Sequence, residues 1–271
     1  MYVKYLISNM NAIILAAGPG SRLGPYTKEK PKAMLEFANQ TLLGRLIKKF
    51  QNFGITDITV VTGYKSEKID FPDVNYIRNK FFLETSTLES LICAKEKITN
   101  STIISYSDII FDDDVLTKII DSKNDISVIA DRQWLRYWDK RVGELAIEAT
   151  ESVYYNNEGF LISVGQPIKN LEHANGHFIG LMKVKNFGSK IFLEFAEKLI
   201  NEQKNSLKLD SDLKLDKLRI VDALQNIINS GKKIEAVLID NGWLEFDTVS
   251  DLQLYNKMKD ENSLSEFISL N

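Results

Sequence analysis

The chain has 271 residues, of which 34 are basic and 37 acidic, and its net charge at neutral pH is −3. This length can bury a sizeable core, as one large α/β domain or as one domain with an insert. The absence of a long basic run argues against nucleic-acid binding, and no apolar stretch is long enough to span a membrane. A single cysteine, Cys93, excludes an internal disulfide and suits a reducing cytoplasm.

Residues 11–36 combine an apolar run with a glycine-rich loop. The run has the composition of a buried parallel strand. In the loop that follows, glycines let the backbone approach phosphate oxygens, while Arg22 and Lys32 supply positive charge and are the candidate catalytic residues. The stretch therefore predicts a nucleoside triphosphate site, whose candidate contacts are Leu15, Ala16, Ala17, Gly18, Gly20 and Ser21.

A dinucleotide-binding Rossmann loop is the alternative for this stretch, because Gly18, Gly20 and Gly24 fit GxGxxxG. A Rossmann unit would carry an acidic residue at the end of its second strand. The predicted second strand, 57–62, has none there, and two prolines after the loop fit poorly with a helix starting at that point. The pattern also lacks the spacing of a P-loop. We therefore favour the triphosphate site over an oxidoreductase.

Strand and helix patterns alternate over the first 130 residues. We predict helices over 42–53, from Thr87, and near 113–121, with strands at 57–62, 74–78, 101–106 and 125–130. This order implies a parallel sheet with helices on both faces.

The second half of the chain has a different pattern, with short strands that suggest antiparallel pairing. We predict strands at 144–149, 152–156, 160–164, 176–184 and 234–239, helices at 187–203 and 219–230, a solvated charged loop at 204–217 and a C-terminal helix or two.

The segment LAAGPGSRLGPYTKEKPKAML resembles the signature LAAGxGxRLxPxTxxxPKxL of sugar-phosphate nucleotidyltransferases and their cytidylyltransferase relatives. The resemblance implies a three-layer, Rossmann-like (GT-A-like) α/β fold with a mixed, mainly parallel sheet and a small antiparallel insert on the acceptor side. We expect a short extension at 1–10 and one domain at 11–271. Its nucleotide-binding part would cover about 11–130, its acceptor-binding part about 131–250, and its C-terminal helices about 248–271.

Acidic residues at two distant places are candidate Mg²⁺ ligands. Asp108 follows the carboxyl end of a strand, where open α/β sheets place ligands, and Glu245 and Asp247 share a face of an extended backbone. Mg²⁺ usually takes one or two carboxylates together with substrate phosphates. In the resembled family, two acidic segments similar to SYSDIIF and WLEFDT hold the metal. The sugar-type pattern WxDxGT favours Glu245 and the pattern ExDT favours Asp247, so the second ligand stays open.

The segment NKFFLETSTLESLICA separates the subfamilies of the resembled enzymes. It lacks the proline and glycine of the QxxPxGLA-like segment in uridylyl- and thymidylyltransferases. It is similar to ETTNxxxSLxCA, a segment of cytidylyltransferases that act on phosphocholine, 2-aminoethylphosphonate or amino-acid-derived phosphates, although the asparagine is missing. The resemblance makes Ser86, Thr87 and Ser90 candidate contacts to cytosine or ribose, with Thr87 also able to cap a helix, and Ser107 a further nucleotide contact.

We expect the acceptor pocket to be built from residues 131–141 and 166–183. Arginines suit a phosphate or phosphonate, and aromatic faces suit a cationic head group. The alternative for the two tryptophans is inward packing, and for the histidine a structural role. The candidates are Asp131, Arg132, Trp134, Trp138, Arg141, Lys169 and His177.

Together these features predict a Mg²⁺-dependent cytidylyltransferase that transfers CMP from CTP to a small phosphate or phosphonate and releases pyrophosphate. The resemblance implies a cytoplasmic enzyme that serves surface polysaccharide or lipid decoration; a homodimer is left open. Three alternatives remain. They are a sugar 1-phosphate nucleotidyltransferase that uses UTP or dTTP, a glycosyltransferase with Asp112–Asp114 as its metal motif, and a non-catalytic nucleotide-binding regulator.

Overall fold

A computed structural model describes residues 9–141, 151–166, 174–209 and 217–270. The predicted strand 144–149, the candidate Lys169, residues 1–8 of the predicted extension and residues 210–216 of the predicted loop lie outside the described residues.

Most predicted strands are confirmed within two residues at each end. In chain order they are β1 (Asn11–Ala16), β2 (Glu36–Phe37), β3 (Gln40–Thr41), β4 (Asp57–Thr62), β5 (Asn75–Arg78), β6 (Ser101–Tyr106), β7 (Ile109–Phe111), β8 (Ile126–Asp131), β9 (Ser152–Tyr155), β10 (Leu161–Val164), β11 (Gly176–Lys185), β12 (Glu235–Ile239) and β13 (Trp243–Glu245).

Nine of the described strands form one mixed sheet, as the resemblance implied. Its order is β10-β9-β11-β6-β1-β4-β5, and β8 joins it by pairing with β11 on one side and β12 on the other. Strands β6, β1, β4 and β5 run parallel, as do β8 and β12. The long strand β11 runs antiparallel to β6, β8 and β9 and thus joins the two parallel blocks.

Seven α-helices are described: α1 (Leu42–Asn52), α2 (Thr87–Cys93), α3 (Asp113–Asp121), α4 (Trp134–Arg141), α5 (Phe187–Leu209), α6 (Ile220–Asn229) and α7 (Val249–Asp260). Helix α5 runs to Leu209, so the prediction of a loop from 204 is wrong for its first residues. Helix α2 is capped by Ser86 and not by Thr87, because a Ser86–Glu89 capping box sets its start. None of the described helices is long and apolar enough to cross a membrane.

Helices cover both faces of the sheet. One hydrophobic cluster packs residues of α1, α3, α4 and α7 against the sheet, and a second cluster packs α2, α5 and α6 against it. This three-layer arrangement confirms the predicted fold class.

A two-stranded ribbon beside the main sheet brings the distant acidic segments together. In it, β13 pairs antiparallel with β7, with Glu245 opposite Ile109. The Phe246 backbone N–H also donates to the Asp108 carbonyl at 2.8 Å. Segments 137 residues apart therefore meet just beyond the carboxyl end of β6.

Candidate active site

A cleft of about 550 Å³ opens where β1 and β6 end. Residues from both halves of the chain line it. They are Leu15, Gly18, Arg22, Lys32, Ser86, Thr87, Tyr106, Ser107, Asp108, Trp138, Arg141, Glu151, His177, Phe178, Ile179, Arg219, Trp243, Glu245, Asp247, Thr248 and Asp251.

The glycine-rich loop packs closely against the stem of Lys32. Gly20 has a φ of 65°, and a Cβ placed on it would lie 2.7 Å from the Lys32 Cβ. A side chain at position 20 would therefore meet both backbone strain and a clash. Leu15 and Gly18 line the cleft, whereas Ala16, Ala17, Gly20 and Ser21 do not. These four residues therefore shape the loop, and none of their side chains faces the cleft.

Lys32 lies between two carboxylates at the floor of the cleft. Its Nζ is 2.6 Å from Asp108 Oδ2 and 2.7 Å from Asp247 Oδ1, and Arg22 Nη2 is 2.7 Å from Asp247 Oδ2. Burial alone would lower the pKa of Lys32, but the charges of Asp108, Asp247 and Glu245 outweigh it and raise that pKa. Burial opposes ionisation of Asp247 as well, yet Lys32 and Arg22 lower its pKa. Lys32 and Asp247 therefore both stay charged at neutral pH.

The acidic residues predicted to hold Mg²⁺ converge. One carboxylate oxygen from each of Asp108, Glu245 and Asp247 lies within 4.8 Å of the others. The second oxygen of Asp108, Oδ1, is buried and has no hydrogen-bond partner among the described residues. Hard anionic oxygens are the ligands that Mg²⁺ prefers, so this donor set fits the ion.

Arg141 is not a free phosphate donor, which corrects the expectation for it. Its guanidinium forms a two-pronged pair with Asp251 at 2.8 and 2.9 Å and an ion pair with Glu245. It also lies over the Trp138 ring, 4.9 Å from the centroid. The side chain is 4% exposed. Arg141 therefore fixes the position of Glu245 from the acceptor side of the cleft.

The aromatic residues of α4 divide between core and cleft. Trp134 is 1% exposed and does not line the cleft, so inward packing is the outcome for it. Trp138 and His177 line the cleft, with their ring centroids 4.9 Å apart. Burial lowers the pKa of His177 to about 3, and Nδ1 has no partner among the described residues. His177 is therefore a neutral ring with an unused polar atom.

Two further acceptor candidates lie away from the cleft. Asp131 is fully buried, and its carboxylate accepts hydrogen bonds from the backbones of Gln133 and Asn241 and from Trp243 Nε1. Arg132 is exposed and paired with Asp240. The structure therefore gives both residues structural roles in the turn after β8.

Three of the four hydroxyl candidates line the cleft. Ser86 and Thr87 stand at the start of α2, and Ser107 precedes Asp108. Ser90 does not line it, because its hydroxyl is buried against Asn79, whose Nδ2 donates to it at 3.0 Å. Ser90 thus orients the loop before α2.

Comparison with known proteins agrees with this geometry. Residues 12–162 match the model of the MobA-like NTP transferase domain. The chain is 31% identical to the CTP:phosphoglutamine cytidylyltransferase of Campylobacter jejuni over 90% of this chain and 98% of that protein. It is 34% identical to the choline-phosphate cytidylyltransferase of Streptococcus pneumoniae over 38% of this chain and 46% of that protein. The chain belongs to the MobA-like NTP transferase family.

Solved structures show the same fold. One is titled as the CTP:phosphocholine cytidylyltransferase LicC of S. pneumoniae, with a TM-score of 0.69 at 18% identity over 93% of this chain and 99% of that one. Another is an inositol-1-phosphate CTP transferase of T. maritima, with a TM-score of 0.67 at 18% identity over 96% and 98% of the two chains. The predicted family and nucleotidyltransferase activity are confirmed, so the oxidoreductase and glycosyltransferase alternatives fall. Asp112 occupies the N-cap position of α3, and Asp113 and Asp114 lie in its first turn, where acidic residues favour the helix dipole.

The sequence patterns missed four ionisable residues in the cleft of this NTP transferase: Tyr106, Glu151, Arg219 and Asp251. Asp251 carries a signal that could have found it, since Thr248 and Asp251 form a T-x-x-D capping box at the start of α7. The other three come from separate elements and show no local motif. Only the pairing of strands brings them together.

Proposed function

We propose that the protein transfers CMP from CTP to a small phosphate or phosphonate acceptor and releases pyrophosphate. The observation that carries the proposal is the Lys32 ammonium held between Asp108 and Asp247 beside a glycine loop. The names of the C. jejuni and S. pneumoniae relatives support CTP as the nucleotide. The proposal includes a cytoplasmic location, a role in surface polysaccharide or lipid decoration and one domain over 11–271, which the family resemblance supports.

The acceptor supplies its own nucleophile. An anionic oxygen of its phosphate or phosphonate attacks the α-phosphorus of CTP, a new P–O bond forms, and the bond to the β-phosphate breaks. Because the attacking oxygen is already ionised, no general base is needed. Catalysis then consists of positioning and charge neutralisation. Arg22 and the loop amides would hold the β- and γ-phosphates, and Lys32 would neutralise charge near the α-phosphate.

Mg²⁺ would be held by Asp108 and Asp247. Glu245 already pairs with the buried guanidinium of Arg141, whereas the partners of Asp247 are Lys32 and Arg22, two cations that would also contact the phosphates. The ion would neutralise phosphate charge and help orient the triphosphate.

The nucleotide base would lie near the start of α2. Ser86 and Thr87 line the cleft there, and their hydroxyls can donate to or accept from a cytosine edge or a ribose. The absence of the QxxPxGLA-like segment favours cytosine over uracil or thymine. The alternative with UTP or dTTP is therefore the second candidate.

A nucleotide panel tests the proposal. Pyrophosphate release is measured with CTP, UTP, dTTP, ATP and GTP in turn, each with Mg²⁺ and a mixture of small phosphates and phosphonates that includes glucose 1-phosphate. We expect CTP to be used far better than the other four. Equal or better release with UTP or dTTP would overturn the cytidylyl assignment, and release only with glucose 1-phosphate would favour the sugar-type enzyme.

A further inference from the structure

A half-buried acid and a half-buried arginine occupy the acceptor half of the cleft, outside the proposed triphosphate site. Glu151 stands directly before β9, and its carbonyl accepts from the Phe178 backbone at 2.9 Å, which fixes it against β11. Its carboxylate accepts from the Tyr106 hydroxyl at 3.4 Å. Both Glu151 and Tyr106 line the cleft.

Arg219 approaches the same wall from the start of α6. Both hydrogen bonds that its guanidinium makes within the described residues come from Nη2, to the Gly165 carbonyl and to Asp222 Oδ1, each at 3.2 Å. Gly165 in turn donates its N–H to the Ser152 carbonyl at 2.8 Å. The guanidinium is therefore anchored on the backbone that adjoins Glu151.

Glu151 and Arg219 line the same cleft without forming an ion pair with each other. No nitrogen of Arg219 lies within 4.0 Å of a Glu151 oxygen, since the ion pair described for Arg219 is with Asp222. Burial raises the pKa of Glu151 to about 8, and the charge of Arg219 only partly offsets it. Glu151 is therefore mostly protonated at neutral pH when the cleft is empty, and a cation bound beside it would favour its ionised form. Arg219 has an anionic partner in Asp222, but its Nε and Nη1 make no hydrogen bond within the described residues, so a second anion would accept from them.

We infer that Glu151 and Arg219 recognise the ammonium and the carboxylate of an α-amino acid group, so that the acceptor is a phosphorylated or phosphonylated amino acid. This inference rests on the proposed function for the identity of the reaction. A choline-type head group would use Glu151 but would bring no second anion to Arg219. A sugar would supply neither a cation for Glu151 nor an anion for Arg219.

The name of the C. jejuni relative agrees with this reading, because it contains phosphoglutamine, a phosphorylated amino acid. The residue-level argument does not depend on that name. It depends on two charged side chains, one of each sign, that converge on one wall of the cleft from β9 and α6.

An acceptor series tests the inference. The kcat/KM for pyrophosphate release at saturating CTP is measured with phospho-L-glutamine and O-phospho-L-serine. It is then measured with phosphoethanolamine, which is phosphoserine without its carboxylate, with 3-phosphooxypropionate, which lacks the ammonium, and with phosphocholine. We expect at least one amino-acid phosphate to exceed every compound with a single charged group by about tenfold or more, the scale of losing one hydrogen bond to a charged group. Equal use of phosphocholine or phosphoethanolamine would overturn the inference.

Variants of each side chain make the test residue-specific. Glu151→Gln should remove the preference for acceptors that carry the ammonium and leave the kcat/KM for 3-phosphooxypropionate unchanged. Arg219→Gln should remove the preference for acceptors that carry the carboxylate and leave the kcat/KM for phosphoethanolamine unchanged. Arg219→Lys should retain part of the preference for the carboxylate. If Glu151 or Arg219 had only a structural role, its substitution would lower the kcat/KM for all acceptors alike. Glu158→Gln and Arg136→Gln, which alter exposed residues outside the cleft, are the matched controls.

Binding separates the inference from the proposed function. Calorimetry with O-phospho-L-serine and phospho-L-glutamine, in the presence of a non-hydrolysable CTP analogue, reports recognition without turnover. If the amino-acid phosphates bind and Glu151→Gln abolishes their binding, but no nucleotide gives pyrophosphate, the inference stands and the proposed function fails. If phosphocholine turns over with CTP and the amino-acid phosphates neither bind nor react, the proposed function stands and the inference fails.

Discussion

Lys32 is the residue on which the charge balance of the cleft depends. Its ammonium contacts Asp108 and Asp247, and its stem fills the space left by Gly20. Replacing it removes the main positive charge between two carboxylates that lie close together. Arg22 is the second cation at the same carboxylate, but its side chain is 69% exposed.

We predict that Lys32→Ala and Arg22→Ala each lower turnover about a hundredfold or more, the scale of losing one preorganised electrostatic contact. Both variants should remain folded by circular dichroism, because neither side chain contributes apolar packing to the core. Lys30→Ala, an exposed lysine paired with Glu36, is the control and should keep full activity. Full activity in either of the first two variants would show that the triphosphate does not lie against this loop.

The metal ligands can be distinguished by substitution. Asp108→Asn and Asp247→Asn should each weaken binding of Mn²⁺, used as a spectroscopic substitute for Mg²⁺, in the presence of CTP. A hard cation loses most when an anionic oxygen ligand is removed. Glu245→Gln should have the smaller effect, because Arg141 holds that carboxylate. If only Glu245→Gln weakens the paramagnetic resonance signal of bound Mn²⁺, the sugar-type alignment is right and Asp247 is not a ligand.

Residue roles were predictable where a compact motif carried them. Arg22 and Lys32 lie within one short segment, and both reach the cleft. Arg141 was harder, because its partners Glu245 and Asp251 are more than a hundred residues away and occupy its guanidinium. Asp131 was likewise misjudged, since sequence alone does not reveal the three donors that bury it in a turn.

At the scale of elements, β11 needs a glycine at the irregularity in its pairing with β8. Its pairing with β8 is irregular between Phe178 and Met182. Between them, Gly180 has a φ of 82°, and a Cβ there would lie 2.3 Å from Cδ2 of Tyr106. Gly159, in the turn between β9 and β10, has the same φ of 82° but nothing within 4 Å of its Cβ position.

These two glycines form a matched pair for measuring the clash. Gly159→Ala should cost only the left-handed conformation, about 1–2 kcal/mol of unfolding free energy. Gly180→Ala should cost that amount and about 1–3 kcal/mol more for overpacking against Tyr106. Urea denaturation of both variants measures the difference. Equal losses would mean that Tyr106 moves freely and does not fix the floor of the cleft.

Lys183 joins β11 to the end of α3. Its side chain is 1% exposed, and Nζ donates to the carbonyls of Ile120 at 2.8 Å and Ser122 at 3.0 Å. Burial, assisted by the charge of Lys185, lowers the pKa of Lys183 from 10.5 to about 8. Below pH 8 the charged Lys183 ammonium therefore lowers the free energy of unfolding. This destabilisation disappears as the pH rises from 8 to 10.5, the pKa of the lysine in the unfolded chain.

We predict that wild type gains stability relative to Lys183→Met between pH 8 and 10.5, by up to roughly 3 kcal/mol. Unfolding free energies of both proteins at half-unit pH steps measure the difference. Lys190→Met, which alters an exposed residue of α5, should run parallel to wild type. If the difference in unfolding free energy between wild type and Lys183→Met stayed constant across this pH range, the burial of a charged amine at this position would be contradicted.

Element positions followed from hydrophobic periodicity, but element pairing did not. The strand 176–184 was predicted, and the structure extends it by one residue to Lys185. Its place between β6 and β8, antiparallel to both, depends on contacts of high sequence separation that periodicity does not encode. The end of α5 was missed because the charged residues after 203 are as compatible with a solvated helix face as with a loop.

For the molecule as a whole, the cleft exists because two parallel blocks are joined by β11. The block of β6, β1, β4 and β5 carries the glycine loop and Asp108, whereas His177 lies on the joining strand β11 and Glu151 stands directly before β9, which pairs with β11. The nucleotide half was predictable from one gap-free motif. The acceptor half was not, because its cleft residues come from α4, β9, β11 and α6, each with one or two side chains.

Analysis of the reaction products tests the central claim most directly. The protein is incubated with CTP, Mg²⁺ and the acceptor series, and the products are followed by ³¹P NMR and mass spectrometry. We predict that one equivalent of pyrophosphate appears for each CMP–acceptor adduct, with no adduct from the Asp108→Asn variant. Hydrolysis of CTP to CDP and phosphate, or pyrophosphate release without any CMP–acceptor adduct, would contradict nucleotidyl transfer to a phosphate or phosphonate.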